Sequence, residues 1–336
     1  MTSTLPIRLP QTEETAGGAR ERSADSPRST GEGSAHAKAI LFGEHAVVYG
    51  APAIAIPIHE LEAEARVESA ERGIRIESEL YSGEASAAPQ GMQPVVTAIE
   101  ASLAQIGAPQ AGVRVQILSA IPHSRGLGSS AAVAAAVARA IADWAGRTLG
   151  EGNLFEVVQQ AERVAHGNPS GLDARAVTAD STIRFDFGVV RAVRTGQALS
   201  FVLADSGIAG STAEAVGAVR SRRESDTDVT EGLLSRLARI AEDSIEDIAR
   251  GDRDAIGARM SEAHDLLDQI GVSSPTLNSL VDAAIAAGAY GAKLTGGGLG
   301  GCIIALAESP QHAEELGSAL RRAGALRTWT ATVPAA

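Results

Sequence analysis

The sequence predicts an α+β protein of two domains with a cleft between them, and three observations carry that expectation. Short apolar runs of strand length alternate with helical segments along the chain. The pattern restarts after about Val190 with a fresh strand and a block of helices. Glycine-rich and acidic stretches occur in both halves, at the ends of the expected strands and helices.

Residues 1–34 are rich in Ser, Thr, Glu, Gly and Pro and lack apolar periodicity, so they read as a disordered tail. From Ala35 the texture changes. AKAILFG and APAIAIPI read as buried strands around the turn GEHAVVYG. EAEARVES and GIRIESEL alternate as half-buried strands do. A helix is expected over Pro94–Gly107, then the strand GVRVQIL, then an alanine-rich helix after GLGSSAA. LFEVVQQAERVAHG reads as a helix stopped by Gly167, with Pro169 just beyond. In the second half, LSFVLADSG is a strand and several helices follow across residues 211–287. AYGAKLTG, GCIIALAE and TWTATV complete the strands, with a helix over about Pro310–Arg322 between the last two. The expected organisation is therefore a tail (1–34), a first domain (35–192) and a second domain (193–336).

At 336 residues the chain has enough material for two domains and a large core. Aromatic residues make up only 3%, so that core rests on Ala, Val, Leu and Ile. A net charge of -12 argues against nucleic acid or an anionic membrane as partner. The single cysteine, Cys302, excludes an intrachain disulfide and a cysteine-rich zinc site, which fits a reducing cytoplasm. No apolar run reaches the roughly 18 residues of a membrane span, and the N-terminus has no apolar signal-peptide core. Composition leaves a homodimer open.

Four stretches carry candidate chemistry. In IPHSRGLGSSAA, a glycine–serine loop runs straight into a helix. It reads either as a plain capped turn or as an anion site built on helix N–H groups, with Gly126 and Gly128 allowing close backbone approach. Ser129 and Ser130 offer hydroxyls for capping or for a hard cation. In KAILFGEHAVVYG, Lys38 lies on an apolar strand, where a charge needs a partner, and Glu44 and His45 share the turn that follows. In AERVAHGNPSGLD, Glu162 and Asp173 are either solvated carboxylates or the metal ligand and base of one site. KLTGGGLGGC is either a tight turn or a glycine loop bordering a ligand. Together they make up the parts of a phosphoryl-transfer site: anion cradle, lysine, metal carboxylate and base.

In this order the four stretches resemble the GHMP kinase superfamily over roughly residues 35–335. LFGEHAVVYG and HGNPSGLD resemble its mevalonate kinase family in particular. The resemblance implies a ribosomal protein S5 domain 2-like first domain and a ferredoxin-like second domain with extra helices. It implies ATP-dependent phosphorylation of the C5 hydroxyl of (R)-mevalonate, in isoprenoid precursor synthesis, with Mg²⁺ as cofactor. By position, Asp173 and Lys38 match the catalytic pair. Pro122, Ser124, Arg125, Gly126, Leu127, Gly128, Ser129 and Ser130 match the ATP loop, and Ser130 and Glu162 the Mg²⁺ ligands. Glu44, His45, Thr212, Gly296 and Gly297 fall on the substrate side. The chain departs from the common family pattern at SAHAK, at Leu299 and at DARAV. Val47 stands where the galactokinase branch has an aspartate, which disfavours sugar binding. The alternatives are another small-molecule kinase of the superfamily, such as a phosphomevalonate kinase, or a non-catalytic binding protein on the same fold.

Overall fold

The computed structural model describes residues 28–167 and 169–336. The first half contains β1 (Thr30–Phe42), β2 (Ala53–Ser69), β3 (Ile74–Glu77), β4 (Ser82–Glu84), α1 (Gln93–Gln105) and β5 (Val113–Ser119). It continues with α2 (Ser129–Trp144), α3 (Glu151–His166), α4 (Leu172–Ala176), β6 (Ile183–Asp186) and β7 (Val189–Ala192). Its strands form one sheet in the order β4-β3-β5-β2-β6-β7, with β1 on the other edge of β2. The second half contains β8 (Leu199–Asp205), α5 (Thr212–Ser225), α6 (Thr227–Arg250), α7 (Arg253–Gln269) and α8 (Pro275–Ala286). It ends with β9 (Gly291–Thr295), β10 (Cys302–Ala307), α9 (Pro310–Arg322) and β11 (Arg327–Val333). Its sheet runs β11-β8-β10-β9 and is antiparallel throughout. No described helix is long and apolar enough to cross a membrane.

The long hairpin β1–β2 organises the first sheet. APAIAIPI and EAEARVES belong to one strand, β2, and not to two. Its first part is buried on both faces, while its second part alternates buried and exposed residues. A register shift between His36 and Ala37 separates the two regimes and lets the strand bend. The tail expected to end at residue 34 also ends earlier, because Thr30–Ser34 already pair with β2. Small residues there are required by packing: a Cβ on Gly31 would meet the Trp144 amide nitrogen at 2.2 Å, and one on Gly33 the Ala136 carbonyl at 2.4 Å. A low-complexity composition thus conceals a strand pressed against a helix. The remainder of the expected tail, residues 1–27, lies outside the described residues.

That helix is α2. Its alanines favour the helical state and let it lie close on the sheet, and nearly every position is buried. In the second half, α8 and α9 each begin with a serine whose side chain accepts the amide of the third helical residue, followed by proline at the first helical position. The helix expected over about Pro310–Arg322 is α9, and α8 falls within the helical block expected across residues 211–287.

Candidate active site

The loop before α2 comes to rest between the two sheets. Gly128 is the N-cap of α2 with φ +74°, and no side chain caps the helix. Ser129 is therefore not the cap: it is buried, with its hydroxyl 3.5 Å from the Ile121 carbonyl. The first-turn N–H groups of α2 have no intrahelical acceptor and carry the positive end of the helix dipole.

The glycines of the two loops are also required by the fold itself. A Cβ on Gly126 would meet the Thr295 carbonyl at 2.7 Å, and one on Gly296 would meet the Gly126 Cα at 2.7 Å. The two glycine-rich loops, one from each half of the chain, are packed backbone against backbone. A Cβ on Gly128 would lie 3.0 Å from the Lys38 Cγ. The missing side chains make room for the protein's own lysine and for the facing glycine loop.

Lys38, on β1, is buried, and its ammonium lies 2.9 Å from Asp173 Oδ1. It also donates to the Gly126 carbonyl at 3.1 Å. Asp173 is placed by α4, a single turn that follows the left-handed Gly171. Glu162 reaches the same point from α3 and accepts a hydrogen bond from Ser130 Oγ at 2.5 Å. Burial, then repulsion from Asp173, pushes the Glu162 carboxyl up to about 7, against the pull of Ser130 and Lys38. A buried carboxylate and a hydroxyl thus face one point beside a second carboxylate, a donor set suited to a hard cation.

Glu44 is also buried, but its carboxylate is paired with Lys293 of β9, itself fully buried. Burial raises the Glu44 pKa and lowers that of Lys293. Glu44 Oε2 has no hydrogen-bond partner. His45 takes φ +60°, and its Nε2–H donates to the Gly297 carbonyl at 2.9 Å. Burial holds the His45 pKa below the usual histidine range, so the ring is neutral near pH 7. Thr212 opens α5, next to the capping Ser211 and against Gly297. Leu299 takes φ +58°, and its amide donates to the Val272 carbonyl at 2.7 Å, which fixes the glycine loop despite the larger side chain.

These residues line adjoining cavities. One of about 310 Å³ is bounded by Ser124, Gly126, Gly128, Ser130, Asp173 and Thr212. Another of about 420 Å³ is bounded by Lys38, Glu44, His45, Val47, Glu162 and Gly297, and shares Asp173 and Thr212 with the first. A more apolar cavity, with Met92, Val95, Ile121 and Val133 in its wall, joins the first through His123 and Ser130.

Three residues of the expected ATP loop are placed apart from the glycines and serines that line the loop cavity with their backbone or hydroxyls. The Leu127 side chain is buried in the core, and only its carbonyl is used, accepting the Lys38 amide at 3.1 Å. Pro122 lines the apolar cavity and not the loop cavity. The guanidinium of Arg125 turns away toward Asp205, at 2.7 Å. Lys293, Asp205 and His166 had no assigned role in the sequence. Lys293 and Asp205 look like ordinary strand residues there, and only the pairing of β8 and β9 with β10 brings them to the loops. His166 borders both polar cavities one helical turn from Glu162, at 3.7 Å.

Comparison with known proteins agrees with this arrangement. Residues 93–180 match the GHMP kinases N terminal domain and residues 244–326 the GHMP kinases C terminal model. The mevalonate kinase of Thermococcus gammatolerans is 34% identical over 314 residues, covering 87% of this chain and 92% of that one. The mevalonate kinase of Pyrococcus furiosus is 34% identical over the same shares of the two chains. Among solved structures, the L. major mevalonate kinase in complex with R-mevalonate superimposes with a TM-score of 0.81. It is 29% identical, and the match covers 93% of this chain and 99% of that one.

Proposed function

Because the chain belongs to the mevalonate kinase family of the GHMP kinases, we propose that it transfers the γ-phosphoryl group of ATP to the C5 hydroxyl of (R)-mevalonate. The products are 5-phosphomevalonate and ADP. The observation that carries the mechanism is the Lys38–Asp173 contact beside the N-terminus of α2.

The polyphosphate lies along the loop Ser124–Ser130, where the free N–H groups of α2 meet its negative charge. The apolar cavity next to the loop takes the nucleoside. Mevalonate occupies the cavity bounded by Glu44, His45 and Thr212, with its C5 hydroxyl directed at Asp173. The Asp173 carboxylate accepts the hydroxyl hydrogen bond, aligns the oxygen for in-line attack, and takes the proton as the new P–O bond forms. A loose transition state requires little deprotonation before bond making, so an ordinary aspartate suffices. The Lys38 ammonium holds Asp173 in place and offsets charge developing on the transferred group. The free Glu44 Oε2 offers an acceptor to a substrate hydroxyl. Val47, in the same wall, offers none to a sugar.

Ser130 and Glu162 fit Mg²⁺: a buried carboxylate raised to about 7 is short of positive charge. When bound there, the ion supplies charge neutralisation and orientation of the phosphates.

A coupled assay of ADP release tests the assignment across mevalonate, phosphomevalonate, galactose and homoserine. Mevalonate should be turned over with the highest kcat/KM. Faster turnover of phosphomevalonate would move the chain to another branch, and ATP binding without turnover of any acceptor would make it a binding protein.

A further inference from the structure

We infer that the ion pair between Arg125 and Asp205 is a strut that holds the phosphate loop from the second domain, and that Asp205 thereby sets nucleotide affinity without touching the nucleotide. This rests on the reading of Ser124–Ser130 as the ATP loop.

Asp205 closes β8 and is fully buried. One carboxylate oxygen is 2.7 Å from Arg125 Nε and also accepts the Gly207 amide at 2.9 Å. The two terminal nitrogens of the Arg125 guanidinium each reach a protein carbonyl, that of Ser124 and that of Gly207, at 3.4 Å. With the guanidinium turned toward these acceptors and Asp205, it acts through the loop and not on the ligand. A fork-shaped guanidinium meets a carboxylate and two carbonyls together, which a lysine cannot reproduce.

The loop needs such a hold. Ser124 has φ +55°, a left-handed conformation that a non-glycine residue keeps only when its surroundings impose it. Contacts from the second half of the chain bear on it directly. The Gly210 amide donates to the Ser124 carbonyl at 2.9 Å. A Cβ on Gly301 would lie 2.9 Å from the Arg125 carbonyl, so the glycine strand presses on the loop directly. Among the described residues the other ion-pair partner of Asp205 is Arg327, which stands at 3.7 Å and is half exposed. Releasing Arg125 lets the turn at Ser124 relax, and the N–H groups that follow lose their common aim.

The test is direct titration with ADP, without any phosphoryl acceptor, of the wild-type protein and of Asp205→Asn, Arg125→Ala, Arg125→Lys and the double variant Asp205→Asn/Arg125→Ala. Each single truncation should weaken ADP binding about tenfold, Arg125→Lys should recover part of it, and the double variant should bind no worse than the weaker single. Arg259→Ala, which breaks a partly buried ion pair with Asp247 between α6 and α7, serves as the control. It should lower the melting temperature without changing ADP affinity. Unchanged ADP affinity in Asp205→Asn and Arg125→Ala, with only the melting temperature lowered, would overturn the strut. So would independent, multiplicative losses, because Arg125 would then act on the phosphates itself. If Asp205→Asn does not fold, Arg125→Lys decides alone: wild-type affinity overturns the proposal and intermediate affinity supports it. A wild-type protein that binds ADP but does not phosphorylate mevalonate would refute the acceptor assignment while leaving this readout intact.

Discussion

Lys38 on β1 and Asp173 on α4 meet at 2.9 Å, with the lysine buried and the aspartate facing the cavity that joins loop and acceptor site. The pair is asymmetric: one partner is enclosed by the fold and the other is open to substrate. Asp173→Asn should therefore lower kcat by at least ~10²-fold, as loss of a positioned proton acceptor does, with ATP affinity little changed. Lys38→Met should also act mainly on kcat. Because both serve one step, the double variant should be far less impaired than the product of the single effects, which steady-state kinetics on the four proteins will measure.

Glu162 should make stability depend on pH and, as the proposed Mg²⁺ ligand, on Mg²⁺. Its carboxyl is raised from 4.5 to about 7 in the folded protein, so between those values the folded state holds a proton that the unfolded state has lost. Its contribution is thus fully present below about 4.5 and is lost as pH rises through about 7, by roughly 3 kcal/mol at most. Without Mg²⁺, Glu162→Gln should remove that part of the decline. Mg²⁺ binding at pH 6.5 should release a proton from the wild-type protein and none from the glutamine variant. Calorimetric titration in two buffers of different ionisation enthalpy measures the proton directly.

Gly128→Ala tests the role of the first glycine loop. The added Cβ would press on Lys38 at 3.0 Å and hold an alanine at φ +74°, at a cost of about 1–2 kcal/mol. The expected result is a lower kcat as well as a lower melting temperature. A rise in the KM for ATP alone would show that the glycine serves the phosphates and not the lysine.

Lys293→Met should be strongly destabilising, by about 3–5 kcal/mol, because Glu44 is left as an uncompensated buried carboxylate. The double variant Glu44→Gln/Lys293→Met should regain much of that loss in urea denaturation. Additive losses would mean that the two side chains are held by separate contacts.

The sequence by itself determined most of the elements and the parts of the site. Local chemistry suffices for these: a glycine stop for α3, alternation along β2, an alanine-rich helix after the glycine–serine loop, and four stretches whose residue types suit phosphoryl transfer. What those residues touch was decided only by the tertiary structure. Thr30–Ser34 look like a tail because the reason for their small side chains, the helix α2, lies more than a hundred residues away. The contact between Arg125 and Asp205 exists only because β8 is brought to the loop, and Lys293 reads as a strand residue until β9 places it against Glu44. The glycines of the two loops signal close approach in the sequence, but the fold alone shows that they approach each other and Lys38. Periodicity and capping act within a few residues, whereas a buried charge is paid for by a partner that only the pairing of the two sheets supplies.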